Sequence, residues 1–301
     1  MGLVCLVVWK PKLPADAGRV LGIVADVLGV LTVVITTVQL LTDKSPAQTL
    51  LALILASIAL TFLALAFRLE RQLASVNAQY ARHARTVGAL PQLANAMGHM
   101  GRAVLSLRTS VHGFLPNADA ACQELGTYFT AATGHSCRVT VKEAFNQGAP
   151  GNGGPGTAVR TICSSEPVHG GRRGTATIDL VDENTDFYEL SKPPAPRVYL
   201  CNDLPREIGR GYRNSHWSTE QIRLWTENGD FPYKSTLVWP IKGRDESDPA
   251  APDIIAGFLC VDSRVVGTFD REFDVSPGET FAHALYLGLT AYRTETQRQP
   301  A

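Results

Sequence analysis

Two apolar stretches near the start constrain this chain more than anything else in it. VLGIVADVLGVLTVVITTVQLL, Val20 to Leu41, carries one charge in 22 residues, and TLLALILASIALTFLALAF, Thr49 to Phe67, carries none in 19. As helices they would reach about 33 and 28 Å, each near the thickness of a bilayer's hydrocarbon core. Neither keeps the polar stripe that a helix of a soluble bundle turns to water. The expectation is a membrane hairpin with spans at 20–41 and 49–67, turned by TDKSPAQ. The first stretch is too long for a signal peptide and lacks its small-residue cleavage site. Lys10, Lys12 and Arg19 precede the pair and Arg68, Arg71, Arg82 and Arg85 follow it, against Lys44 between. The positive-inside rule then predicts a multi-pass cell-membrane protein with both termini in the cytoplasm. Asp26 falls roughly 9 Å inside the first span by helical rise. It either meets a partner or water there, or marks a span that begins later, with its carboxylate at the headgroups.

After Phe67 apolar residues recur at alternating steps of four and three: Leu69, Leu73, Val76, Tyr80, His83, Val87 and Leu90. A second series runs Leu93, Met97, Met100, Val104, Leu107, Val111 and Phe114. Both are heptad seams, which predict a coiled coil and at least a homodimer; the alternative is that these helices pack on their own domain. Between the series one step is short, at Pro91, which predicts a break. The chain is thus expected to divide into a membrane hairpin (1–67), a helical linker (68–115) and a cytoplasmic domain (116–301).

The zero net charge conceals a gradient. Residues 68–115 hold six basic and one acidic side chain, and 116–301 hold eighteen basic and twenty-four acidic. An acidic domain without a basic cluster argues against nucleic acid as a partner. The basic linker suits the anionic headgroups of a lipid bilayer. Six dispersed cysteines without a C-x-x-C pair read as buried free thiols, with neither a disulfide framework nor a zinc site. The seven histidines form no H-x-x-x-H pair, and HGGRRG lacks the Lys-Ser/Thr of a phosphate loop, so neither a metal nor an enzyme activity is expected.

Within the last region NADAACQELGTYFTAAT has helical spacing, with Asn117 or Asp119 as its cap. CRVTVKEAF alternates as a strand, and TAVRTIC, RVYLC, STLVWPI and IIAGFLCVD read as further strands. A last helix is expected from SPGET, with Ser276 as cap, Pro277 at its first position and Glu279 closing a capping box. The fold class is α+β, an antiparallel sheet covered by helices.

STLVWPIKG and IIAGFLCVDS resemble the last two strands of GAF domains, where a strand ending in Pro-Ile leads through a variable loop to Gly-x-Leu-x-x-Asp. The resemblance spans Ala118 to Tyr292. It implies a six-stranded antiparallel sheet with helices on one face and a small-molecule pocket on the other. Cyclic-nucleotide-binding members share an Asn-Lys, Phe, Asp-Glu signature, whereas the matching places here are Asp262, Ser263, Phe269, Phe273 and Asp274. Bilin-binding members share a Cys-His pair, whereas Cys201 precedes Asn202. No cofactor is expected.

The pocket is expected in the polar middle of the domain, from Asn184 to Trp217. Asp186, Asn202, Asp203, Asn214 and His216 would fix a ligand's orientation, and Phe187, Tyr188, Tyr212 and Trp217 would bury its surface. Asp203 and Tyr212 are the expected direct contacts, while the Asx residues could instead shape loops. The functional expectation is a membrane-anchored sensor of an unidentified small molecule, signalling through a dimeric helix to the membrane or to an output protein. A ligand-triggered membrane-permeabilising effector and a ligand-free scaffold are the alternatives.

Overall fold

The computed structural model of the chain describes residues 29, 46–108, 110–146, 157–166, 178–192, 194, 196–243 and 254–298. The expected first span, apart from Gly29, lies outside these residues, as do Asp26 and Cys5. Contacts divide the chain into two units, Met1–Gln79 and Tyr80–Ala301.

Helix α1, Pro46–Gly88, begins in the first unit. It contains the uncharged run 49–67, whose Leu50, Leu51, Ile54, Leu60, Phe62 and Phe67 are exposed. Arg71 lies 4.4 Å above the Phe67 ring. Among the described residues no helix is long and apolar enough to cross a membrane. The side chains of residues 46–49, 52, 53 and 55 stand outside that description.

In the second unit α1 ends at Gly88, and α2, Leu90–Ser106, starts one residue later with Pro91 in its first turn. The break comes where the shortened heptad step and the proline predict it, since Pro91 has no N–H to continue the ladder. Helix α2 buries Ala96, Met100 and Ala103. Beyond it lie a 3-10 turn, Val111–Gly113, and helix α3, Phe114–Thr133. The second seam is not a coiled-coil surface. Met100, Leu107 and Phe114 are buried in this unit's own core, with Leu93 and Met97 packed against it. Ala96 and Ala103 let neighbouring backbone approach, and apolar surface spent within the chain cannot also serve a second chain.

Helix α3 starts earlier than its expected caps. Asn117 donates back to the Gly113 carbonyl at 2.9 Å, and buried Asp119 accepts the Ser164 N–H at 3.3 Å. Gly134 ends the helix at φ 76°, a conformation that glycine adopts freely.

Six strands follow: β1 (Cys137–Asn146), β2 (Thr157–Ser164), β3 (Ile178–Leu180), β4 (Tyr199–Cys201), β5 (Ser235–Gly243) and β6 (Ile254–Ser263). The sheet is antiparallel in the order β3-β2-β1-β6-β5-β4. Strand β3 has no counterpart in the sequence reading, because three residues are too few to show alternation. Helices α4 (Thr185–Ser191), α5 (Leu204–Ile208) and α6 (Thr219–Asn228) lie in the chain between β3 and β5, and helix α7, Arg271–Arg298, closes the fold. It begins five residues before the expected Ser276 cap. The Asp270 side chain accepts the Glu272 N–H at 2.7 Å, while Asp274 accepts the Asp270 N–H at 2.7 Å. These bonds cap the first turn, and Pro277 falls inside the helix.

Alternation sorts the sheet into two faces. Val139, Val141, Leu237, Trp239, Ile241, Leu259 and Val261 pack with α2, α3 and α7 in the main core. The long helices thus lie on one face of the sheet, as the resemblance implied, while two short helices lie on the other. Gly278 and Gly257 are among the glycines required by contact. A Cβ on Gly278 would overlap the Trp239 ring, and one on Gly257 would overlap the Lys142 carbonyl across the β1–β6 pairing. The last turns of α1 join this unit through Arg82, whose guanidinium forms a buried ion pair with Asp274.

Candidate functional site

The other sheet face carries the polar chemistry. Residues of β1 that alternate with Val139 and Val141 point there, namely Arg138, Thr140 and Lys142. The register pairs Arg138 with Asp262 and Asp262 with Thr236, placing three polar residues in one row across β1, β6 and β5. Arg138 donates to Asp262 Oδ2 at 3.0 Å, and Thr236 donates to its Oδ1 at 2.8 Å. Arg138 Nε is buried without a hydrogen-bond partner. The next row, Thr140, Cys260 and Val238, is apolar apart from a hydroxyl and a thiol, which raises the value of each polar contact beside it.

Two short helices and the loop after them cover this face. Asn184 leads into α4, Thr185–Ser191, which buries Phe187 in a stacked contact with Phe258, ring centres 4.6 Å apart. Asp186, in the first turn of α4, is buried. Its Oδ1 accepts the Phe187 N–H at 2.9 Å, and its Oδ2 receives a longer bond of 3.4 Å from the Tyr212 hydroxyl. Burial pushes its carboxyl up to about 7, because few donors replace the water lost. Tyr212, Trp217 and Tyr233 stand together, with the Trp217 ring 6.0 Å from Tyr212 and 5.1 Å from Tyr233. Burial raises both tyrosine hydroxyls well above the usual range, so both stay protonated. Asn214 donates to the Tyr233 hydroxyl at 3.1 Å, and Arg138 lies 6.0 Å from the Tyr233 ring.

A second cluster centres on Asp179 of β3, which is buried. Lys142 meets its Oδ2 at 2.5 Å, Ser215 donates to its Oδ1 at 3.1 Å, and His216 Nε2 meets that same oxygen. Asn184 donates to Ser215 Oγ at 3.1 Å and accepts the Ser215 N–H at 3.2 Å. Side chains from β1 and β3 therefore hold the 214–217 loop over the sheet.

The structure brings some of the expected site residues together and gives others local work. Asp186, Tyr212, Asn214 and Trp217 converge, and His216 joins Asp179. Phe187 belongs to the apolar layer of this face. Tyr188 is only half-buried and contacts Lys192 just past α4. Asp203 caps α5, Leu204–Ile208, by accepting the Arg206 N–H at 3.2 Å. Asn202 clamps Phe269, donating to its carbonyl at 2.6 Å and accepting its N–H at 3.0 Å. Asn214 also accepts the His216 N–H at 3.0 Å in an Asx turn. Arg138, Lys142, Asp179, Thr236, Tyr233 and Asp262 were not anticipated. For Arg138 and Lys142 a signal was present in the alternation of β1, whose polar positions define a face as surely as Val139 and Val141 do; the other four lie on other segments, and only the fold brings them here.

Among the described residues five cysteines are buried: Cys122, Cys137, Cys163, Cys201 and Cys260. Among the described residues no group of three or more His, Cys, Asp or Glu could hold a metal ion.

No family profile matches the sequence, and no curated protein matches it. Among solved structures the chain is similar to a type II free methionine-R-sulfoxide reductase from Thermoplasma acidophilum. The two are 13% identical, 61% of this chain and 97% of that chain are covered, and the TM-score is 0.37. At that score no conclusion about chemistry passes from one to the other.

Proposed function

We propose that the second unit is a sensory domain that binds a small polar molecule between the Arg138–Asp262–Thr236 row and the Asp186–Tyr212–Trp217 cover. One observation carries this reading: a buried guanidinium nitrogen without a partner and a buried, sparsely bonded carboxyl occur on the same sheet face. Arg138 Nε is a buried donor with no acceptor, and Asp186 is a buried carboxyl with one long bond from a side chain. Such groups are costly to leave so, and they cluster where a ligand completes them. The neighbouring aromatic rings supply apolar area.

Binding fits the site better than thiol chemistry. Burial raises the Cys137 thiol to about 11 and lifts those of Cys201 and Cys260, so the nucleophilic thiolate is suppressed. The domain is read as cytoplasmic and tethered by the uncharged run 49–67, with its output passing back through α1. The sequence of that run and the positive residues flanking the expected hairpin support this tether.

Native mass spectrometry of the full chain, extracted from its host membrane, tests the binding site. A retained small molecule should be present in the wild type and lost from Arg138→Met and Asp186→Asn. Retention by both folded variants would refute this location.

A further inference from the structure

The first heptad seam remains free where the second is consumed. Leu69, Leu73, Val76 and Tyr80 are exposed on α1, Leu73 at 61% and Tyr80 at 72%, and Val87 and Leu90 extend the exposed series. In the second unit Tyr80 and Val87 are exposed, while Arg82 between them is buried on Asp274 and Arg85 lies against Gly134. With Leu73, Tyr80 and Val87 as a and Leu69, Val76, His83 and Leu90 as d, Arg82 and Arg85 occupy c and f. Within the second unit this domain therefore takes the c and f flank of residues 80–88 and leaves Tyr80 and Val87 clear. His83 is the exception, its ring 6.2 Å from Phe273.

We infer that this seam pairs with the same seam of a second copy of the chain, parallel and in register from Leu69 to Tyr80. The composition beside the seam favours a second copy over a different protein. The flanking e and g positions are Glu70, Asn77 and Ala84, and Gln72, Gln79 and Thr86. One charge among six offers no pattern by which a heterologous helix would be selected, and none that sets identical helices against each other. Parallel register rests on the tether proposed above, since two copies entering one membrane from the same side bring identical residues to one level. The paired segment ends near the break at Pro91, beyond which α2 packs on its own domain.

Disulfide trapping of the full chain in membranes tests this, in a Cys5→Ser background. Leu73→Cys and Val76→Cys should each give a linked dimer on mild oxidation, and Ala78→Cys, at an outward f position, several-fold less. Equal yields at all three sites, or no dimer at Leu73 and Val76, would overturn the seam. Efficient linking only between Leu73→Cys and a co-expressed Val87→Cys chain would overturn the parallel register. Detergent-corrected sedimentation gives an independent reading, in which Leu73→Glu with Val76→Glu should halve the mass. An unchanged mass would refute the pairing. Ligand retention measured on the same variant keeps the outcomes separate, since a monomer that holds its ligand leaves the site reading intact.

Discussion

Asp186 makes the site's electrostatics measurable. Its folded pKa of about 7 lies above the ordinary 3.8, so the native state holds a proton that the unfolded chain has released. The sign follows from linkage: stability from this group is full below about pH 4, falls as pH rises, and is wholly lost above about pH 7. Asp186→Asn removes the penalty. It should stabilise the unliganded protein at pH 8 by up to about 4 kcal/mol and change it little at pH 4 to 5, as read from denaturant midpoints. An equal effect at both pH values would refute the assignment. Asp203 should behave differently because its carboxylate caps α5. Asp203→Ala should cost about 1 kcal/mol in thermal unfolding and leave ligand retention unchanged. The contrast shows what sequence could and could not distinguish. Asp186 and Asp203 both stand at helix starts among polar residues and aromatics, and only the fold buries one and leaves the other partly exposed on a cap.

The elements were more legible than the site. Pro240, Gly257, Leu259 and Asp262 suggested the last two strands, and contacts explain three of the four. Gly257 clears the Lys142 carbonyl, Leu259 fills the main core, and Asp262 binds Arg138 and Thr236. Helix starts were less legible, since Asp270 serves α7 as well as the Ser276-Pro277 pattern would have done and lies earlier. The attachment of α1 was hidden, because a heptad reading treats Arg82 as a solvated charge. Arg82→Met should leave Asp274 buried without its counter-charge and cost roughly 3–5 kcal/mol. Burial already raises Asp274, so in the variant that carboxyl would take a proton more readily still. The loss should therefore be larger at pH 8 than at pH 5. Hydrogen exchange should show residues 80–88 opening first, and unchanged protection there would contradict the attachment.

For the whole molecule, the tether makes a coarse prediction. Deleting residues 1–67 should move the protein from the membrane pellet to the soluble fraction after cell lysis. Continued pelleting of a folded product would remove the run 49–67 as anchor. The α+β class and the six-stranded antiparallel sheet agree with what the resemblance carried by β5 and β6 implied. Arg138, Thr236 and Asp262 could not be associated from sequence, since their neighbourhood exists only across strands. That placement of β1 beside β6 has a consequence for synthesis. Arg138 must wait for Asp262, 124 residues later, so the binding row cannot assemble while β6 is still inside the ribosome. A nascent chain ending between Gly243 and Ile254 would hold both flanks of the sheet and lack the strand that joins them. Such a chain should depend on chaperones until β6 emerges, and a stop codon between residues 243 and 254 should yield a protein destined for degradation.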